Sequence, residues 1–167
     1  MDRCIACDLS AGRAPLAGGR IHETTHWLVE HCVGPLGTGA LIVKPRRHVT
    51  KVAELTDVEA AELGPLLRVA SIVAGELVDA EQVYNCLWSH AGGRPVHIHY
   101  VIQPVTAGQM DKFGGHGPTL QVAAVRGSAS SHVPGRLLSE LKDAADIASR
   151  LDQGMERLHQ ELQALRQ

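Results

Sequence analysis

The sequence predicts an α+β domain, in which one long helix packs on an antiparallel sheet and a second, C-terminal helix carries a heptad seam. Strand-like segments stand on both sides of the first helical segment, and the second one closes the chain. The 167 residues suit one domain. A hydrophobic fraction of 44% supports a core that must be mainly aliphatic, since only one Phe, two Trp and two Tyr are present.

Charge and hydropathy exclude several classes of function. The formal net charge is −2, and no block of Lys and Arg forms a basic face of the kind that binds nucleic acid. No apolar run reaches the roughly 18 residues of a membrane-spanning helix, and the first residues, MDRCIACDLSAGR, lack the apolar core of a signal peptide. We therefore expect a cytoplasmic protein without a membrane partner, whose four cysteines are thiols or metal ligands rather than disulfides.

The first half of the chain predicts three strands and the long helix. IHETTHWLVEH indicates two short strands around the turn ETTH, and ALIVKP indicates a buried strand before the basic turn RRH. A capping box, TDVE, starts the helix at Thr56, with Glu59 reaching back to the start. The helix should run to about Val78, with apolar residues at helical spacing: Leu63, Leu66, Leu67, Val69, Ala70, Ile72, Val73 and Leu77.

The second half predicts a hairpin and the late helix. EQVYNCLWSH and VHIHYVIQPV indicate two strands joined by the turn AGGRP, and residues 106–134 are loop-rich. The C-terminal segment has a heptad seam that is weakened by Gly154, at a cost of roughly 1 kcal/mol. The seam is made of Leu141, Ala144, Ala148, Leu151, Met155, Leu158, Leu162 and Leu165. We predict a domain over residues 1–134 and a helical extension over 135–167, packed on that domain or at a dimer interface.

Two cysteines near the N-terminus form a C-x-x-C motif. Cys4 and Cys7 are compatible with a redox pair, a disulfide or half of a zinc site, and the α/β setting of a redox pair is absent. A zinc site needs two further nitrogen or sulfur ligands, which His48 and His97 can supply. The remaining cysteines compete for the same role: Cys32 and Cys86, the latter flanked by apolar residues as a core thiol would be.

Two histidines stand two residues apart in the apolar segment PVHIHYVIQP. His97 and His99 share one face of the predicted strand, because side chains alternate along a strand. Both therefore suit one catalytic metal. If His97 instead belongs to a closed structural site, His99 is left as a core ring or as a reactive group in a cleft.

These motifs resemble the bacterial, zinc-containing branch of the histidine triad family. CIACD, GALIVKPRRHV, TDVEAAEL and VHIH occur in the family's order and approximate spacing, over residues 3–110 and loosely to about 150. The resemblance implies a histidine-triad-like antiparallel sheet, a homodimer and a structural Zn2+. It implies that the zinc ligands are Cys4, Cys7, His48 and His97.

The resemblance also implies a reaction. His99 matches the family's nucleophilic histidine, which attacks a nucleoside phosphate conjugate, forms a nucleotidyl-histidine intermediate and passes the nucleotidyl group to water or another acceptor. We therefore expect a nucleotidyl hydrolase or transferase that binds a nucleotide or a nucleotide conjugate. Besides His99, the expected substrate-binding residues are Asn85, Arg94, His97 and Gln103.

The chain departs from the family pattern around the expected phosphate. Val101 stands in the place of the third histidine, and Val105 in the place of an arginine. GGRP replaces the family's G-Q-S-V, so that Arg94 becomes the candidate phosphate donor, with an exposed turn arginine as the alternative. Cys32 falls where the family has the acid that holds the ribose. The substrate is therefore expected to be atypical.

Two other interpretations remain open at the level of sequence. The eroded motif is compatible with a non-catalytic, zinc-stabilised protein that binds a nucleotide or a partner. Alternatively, both histidines of VHIH bind one catalytic metal, and the protein is a metalloenzyme.

Overall fold

The computed structural model describes residues 4–16, 19–32, 39–91, 94–115, 117–120 and 134–165. It confirms the α+β class, because five antiparallel strands form one sheet in the order β1-β2-β3-β5-β4 and helices pack on it. In chain order, the elements are α1 Ile5–Ser10, β1 Arg20–Glu23, β2 Trp27–His31, β3 Leu41–Pro45, α2 Asp57–Val78, β4 Gln82–Ala91, β5 Arg94–Val105, α3 Ala107–Lys112 and α4 Pro134–Ala164.

The predicted strands and the long helix are confirmed. At the start of α2 the Thr56 hydroxyl oxygen accepts the Glu59 N–H at 3.3 Å, and the Glu59 carboxylate accepts the Thr56 N–H at 2.8 Å. The helix ends at Val78, followed by Asp79 in the left-handed conformation, with φ of 51°. Within the segment predicted as loop-rich, α3 is a short helix that the sequence analysis did not predict, and residues 121–133 lie outside the described ranges.

The two faces of the sheet differ in character. The face beneath α2 carries the main core, with Trp27, Leu41, Val43 and Ile102 packed against residues of the helix. The opposite face carries a smaller apolar group that includes Val101. Because paired residues of neighbouring strands share a face, the register of β5 with β3 and β4 decides which side chains meet on this second side.

The C-terminal helix packs on the domain through the middle of its seam. The seam residues Leu151 and Met155 are buried in the main core together with residues of α2, and so is Ile147, which lies outside the predicted seam. Further along, Leu162 is 40% exposed and Leu165 is 83% exposed. The seam is therefore divided between a part that faces the chain's own core and a part that faces outward. The boundary near residue 134 between domain and extension stays a prediction.

None of the helices within the described ranges is both long and apolar enough to cross a membrane.

Candidate functional site

Four side chains from distant parts of the chain meet beside the sheet. They are Cys4, Cys7, His48 and His97, whose ligand atoms all lie within 4.8 Å of one another. Cys7 Sγ lies 3.2 Å from His48 Nδ1 and 3.5 Å from His97 Nδ1, and Cys4 Sγ lies 4.0 Å from His97 Nδ1. None of the cysteines forms a disulfide.

Three elements bring these ligands together. Cys4 precedes α1 and Cys7 lies within it, so that one helical turn presents both sulfurs. His48 follows β3 in the basic turn, and His97 lies on the neighbouring strand β5. The His97 Nε2–H donates to the carbonyl oxygen of Pro45 at 2.9 Å, and this bond turns Nδ1 toward the sulfurs.

The geometry and the protonation of this cluster suit a metal ion. Tetrahedral bonds of ordinary zinc lengths separate a sulfur from a nitrogen by roughly 3.6 Å, close to the three separations given above. Burial lowers the pKa of His97 to about 4, so its ring is neutral, as a metal ligand must be. Burial and the neighbouring Cys4 raise the pKa of Cys7 to about 11 in the absence of a cation, and a bound cation would favour its thiolate.

His99 lies next to this cluster but does not belong to it. Its Nδ1–H donates to the carbonyl oxygen of His97 at 3.1 Å, which fixes the tautomer and leaves Nε2 unprotonated. No hydrogen bond from the described residues reaches Nε2. Burial lowers the pKa of His99, so the ring is neutral near pH 7. This arrangement gives no support to a metal shared by His97 and His99.

An apolar group surrounds the position of the missing histidine. Val101 is buried together with Ala40, and Cys32, Ile42 and Trp88 pack against them. The Trp88 ring lies 6.1 Å from the His99 ring, at 46° between the planes. The face beside His99 therefore offers an aromatic and aliphatic surface where the family pattern has a histidine and an acid.

The expected substrate-binding residues do not all reach this face. Asn85 pairs with Ile102 and exchanges hydrogen bonds with Ser71 of α2, at 3.0 and 3.2 Å. It thus lies on the α2 face of the sheet, and the expectation that it neighbours the reacting phosphate is corrected. The alternation of side chains along β4 is the reason.

The other expected residues have different surroundings. Gln103 is buried on the His99 face, where its amide donates to the carbonyl oxygen of Pro104 at 2.8 Å. It lies four residues beyond His99, about 13 Å along the strand. His97 is 1% exposed and directs one ring nitrogen to Pro45 and the other to the cysteines, so its ring has none for a substrate. The side chain of Arg94 lies outside the described part of the structure.

Sequence reasoning missed two charged residues of this face. Lys44 and Glu30 form a buried ion pair at 2.6 Å. Their signal was present in the sequence, since a lysine in ALIVKP and a glutamate in WLVEH each interrupt an apolar run. Only the pairing of β2 with β3 shows that Glu30 and Lys44 contact each other.

Comparisons with known proteins identify the fold. No family model matches the chain, and no curated protein matches it in sequence. A hypothetical histidine triad nucleotide-binding protein from Sulfolobus tokodaii is similar at a TM-score of 0.64, with 18% identity over 89% of this chain and 93% of its own. A zinc-bound histidine triad family protein from Mycobacterium smegmatis gives 0.57, with 17% identity over 95% of this chain and 96% of its own. A hypothetical protein from Leishmania major is 31% identical over 62% of this chain and 74% of its own, at a TM-score of 0.50.

Proposed function

Because the chain has the fold of the histidine triad proteins, we propose that it is a nucleotidyl hydrolase or nucleotidyltransferase acting on a nucleoside phosphate conjugate. The observation that carries this proposal is the state of His99. The carbonyl oxygen of His97 accepts the Nδ1–H of His99, and Nε2 is left as a free base on the face of the sheet opposite α2. Such a nitrogen is a nucleophile for phosphorus.

The reaction divides into two displacements at His99. Nε2 attacks the α-phosphorus of the conjugate, the bond between phosphorus and the leaving group breaks, and the leaving group departs with its electron pair and takes up a proton. The nucleotidyl group is then bonded to Nε2, while the Nδ1–H bond to the His97 carbonyl continues to hold the ring. Attack by water or another acceptor on the same phosphorus breaks the N–P bond and restores the imidazole.

Cys4, Cys7, His48 and His97 would hold a structural Zn2+ in this protein. The support is the donor set, the separations and the bond from His97 to Pro45 that aims its other nitrogen at the sulfurs. The ion would supply no chemistry to the substrate, because four protein ligands close its coordination sphere. It would attach the N-terminal arm to the sheet and so add to the stability of the strand that bears His99.

The substrate is expected to differ from that of ordinary family members. Val101 donates no hydrogen bond to phosphate, and Cys32 is a poor partner for ribose hydroxyls. The same observation favours a second candidate function, a non-catalytic zinc-stabilised protein that binds a nucleotide or a partner.

We further propose that the protein is a cytoplasmic homodimer.

Trapping the intermediate separates the two functions. The zinc-loaded protein is incubated with an adenosine phosphoramidate and with dinucleoside polyphosphates, quenched without acid and examined by peptide mass spectrometry. We expect a nucleotidyl group on His99, released product, and loss of both in His99→Ala. Binding of these compounds without any adduct or product would favour the non-catalytic candidate. Product formation that persists in His99→Ala would overturn the proposed mechanism.

A further inference from the structure

A buried ion pair lies on the same face of the sheet as His99. Lys44 of β3 and Glu30 of β2 approach to 2.6 Å, and the two residues are only 1% and 2% exposed. The second carboxylate oxygen of Glu30 is buried without a hydrogen bond from the described residues. The pair is therefore desolvated and only partly satisfied.

Such a pair is a poor device for stability. Two charges lose their hydration on burial, and apolar side chains of similar volume often stabilise a core as well or better. The surrounding positions of this small core are in fact apolar, with Ile42 and Val101 nearby on the same face. We therefore infer that a buried lysine and glutamate within this apolar group have a role other than packing.

Lys44 follows directly after the observed pairing of β3 with β5. Ile42 pairs with Val101 and Val43 pairs with Tyr100, and continuation of this register by one residue would set Lys44 across from His99. Side chains at such positions share one face, with Cβ atoms roughly 4.5–5.5 Å apart. The two strands remain in contact beyond this point, because the His97 ring bonds to the Pro45 carbonyl.

The ammonium group of Lys44 is held from two sides. Besides Glu30, its Nζ donates to the carbonyl oxygen of Ala6 at 3.1 Å, in the helical turn between the two cysteines of the metal cluster. A zinc ion with two thiolates and two neutral imidazoles would have no net charge. Glu30 offsets the charge of Lys44, but β3 lies between β2 and β5, so the positive end of the ion pair is the end nearer His99.

We propose that Lys44 is a positioning residue for the reaction at His99, and that its buried charge, fixed by Glu30, draws the phosphate of the substrate to Nε2 and stabilises the charge on phosphorus during attack. The ammonium group does not touch the phosphate; it acts through the low-dielectric space between them. Val101 of β5 cannot contact the substrate phosphate as the third histidine of the family pattern would. Lys44 of β3 would supply a positive charge in its place. The inference rests on the proposed function, because it assumes a phosphate at His99.

Two small reagents test the charge without knowledge of the natural substrate. Inorganic phosphoramidate is an anion: Nε2 forms a bond to its phosphorus, the P–N bond breaks, and the amine takes up a proton and leaves as ammonia. Diethyl pyrocarbonate is neutral and acylates the same nitrogen. The ratio of the two rates at His99, measured on the zinc-loaded full chain by peptide mass spectrometry, reports the local charge, whereas a displaced ring would slow both reactions.

The variant Lys44→Gln with Glu30→Gln removes both charges and keeps an amide hydrogen bond. We expect phosphoramidate to react with its His99 on the order of tenfold more slowly, with the diethyl pyrocarbonate rate unchanged. Lys44→Arg, which keeps the charge, should retain most of the ratio. A matched control is Arg46→Gln with Glu23→Gln, an exposed pair at 3.1 Å near the same end of β3, which should leave the ratio unchanged.

Three results would overturn the role of Lys44, and one of them would also overturn the proposed function. An unchanged ratio in the Lys44 and Glu30 double variant would refute the role of Lys44 alone. An equal slowing of both reagents would show that the pair acts through structure, again against this inference. If wild-type His99 reacts with diethyl pyrocarbonate but not with phosphoramidate, the proposed function fails as well. Should the amide variant not fold, Lys44→Met with Glu30→Leu removes the same charges and leaves the same expectation.

Discussion

At the scale of single residues, partners decide what a histidine does. His97 and His99 share a strand, a face and a neutral ring, yet their hydrogen bonds differ. His97 gives Nε2–H to Pro45 and turns Nδ1 to the sulfurs, whereas His99 gives Nδ1–H to the His97 carbonyl and leaves Nε2 free. The first arrangement suits a ligand and the second suits a nucleophile.

Substitution by alanine should separate these two roles. His97→Ala removes a ligand, so zinc affinity should fall by more than the roughly 10–100-fold that loss of an outer-shell partner costs, with a lower melting temperature. His99→Ala should leave the zinc content unchanged and alter the free energy of unfolding by about 1 kcal/mol or less. Metal analysis and thermal unfolding measure both, with the exposed His159→Ala as control. Zinc loss in His99→Ala with retention in His97→Ala would reverse the assignment.

At the scale of elements, the contact between α2 and α4 depends on a glycine. Gly154 stands in the middle of α4, where a methyl group would meet Val69 Cγ1 of α2 at 2.5 Å. From the sequence, this glycine only lowers the stability of the helix. In the structure, it allows α4 to lie close to Val69 of α2. The absent side chain lets two helices approach while Leu151 and Met155 enter the core on either side.

Gly154→Ala should therefore destabilise the protein in spite of a better helix propensity. Alanine gains about 1 kcal/mol in the helix, and overpacking against Val69 costs about 1–3 kcal/mol. Denaturant unfolding should show a net loss of about 1 kcal/mol. In a Val69→Ala background the clash is gone, and the same change should be neutral or stabilising. A stabilised Gly154→Ala in the wild-type background would contradict the close approach of the two helices.

At the scale of the whole molecule, the outer part of the α4 seam is unused within the described structure. Leu151 and Met155 are buried, whereas Leu162 and Leu165 are exposed, although all four continue one heptad pattern. The proposed homodimer would place a second copy of the chain on this exposed stripe. Point substitutions on this stripe leave the core intact, whereas a truncation that included Met155 would remove a core residue.

Leu162→Glu with Leu165→Glu should weaken the homodimer and leave the domain folded. Both changes place a charge on the exposed stripe, at positions with little contact to the core. Light scattering over a concentration series should show at least a tenfold rise in the dissociation constant, since each leucine loses its apolar contact. Gln160→Glu with Gln163→Glu adds the same charge on the other side of α4 and should have no such effect. A monomeric wild-type chain at tens of micromolar would refute the homodimer.

The sequence by itself determined the local elements and the order in which they occur. The period-two strands, the capping box at Thr56 and the heptad seam depend on neighbours within a few residues, and all three appear in the structure. The cluster of Cys4, Cys7, His48 and His97 was predictable as well, because the resemblance to the histidine triad family implies that these four residues meet. The shared face of His97 and His99 follows from alternation alone.

Only the tertiary structure decided which side chains meet across elements. Alternation says that two residues of one strand share a face, but not which face, and a position one residue away lies on the other side of the sheet. The register of β4 with β5 thus turns Asn85 toward Ser71, and the pairing of β2 with β3 brings Glu30 to Lys44. Pairings of this kind join residues far apart in the chain, so no local pattern contains them.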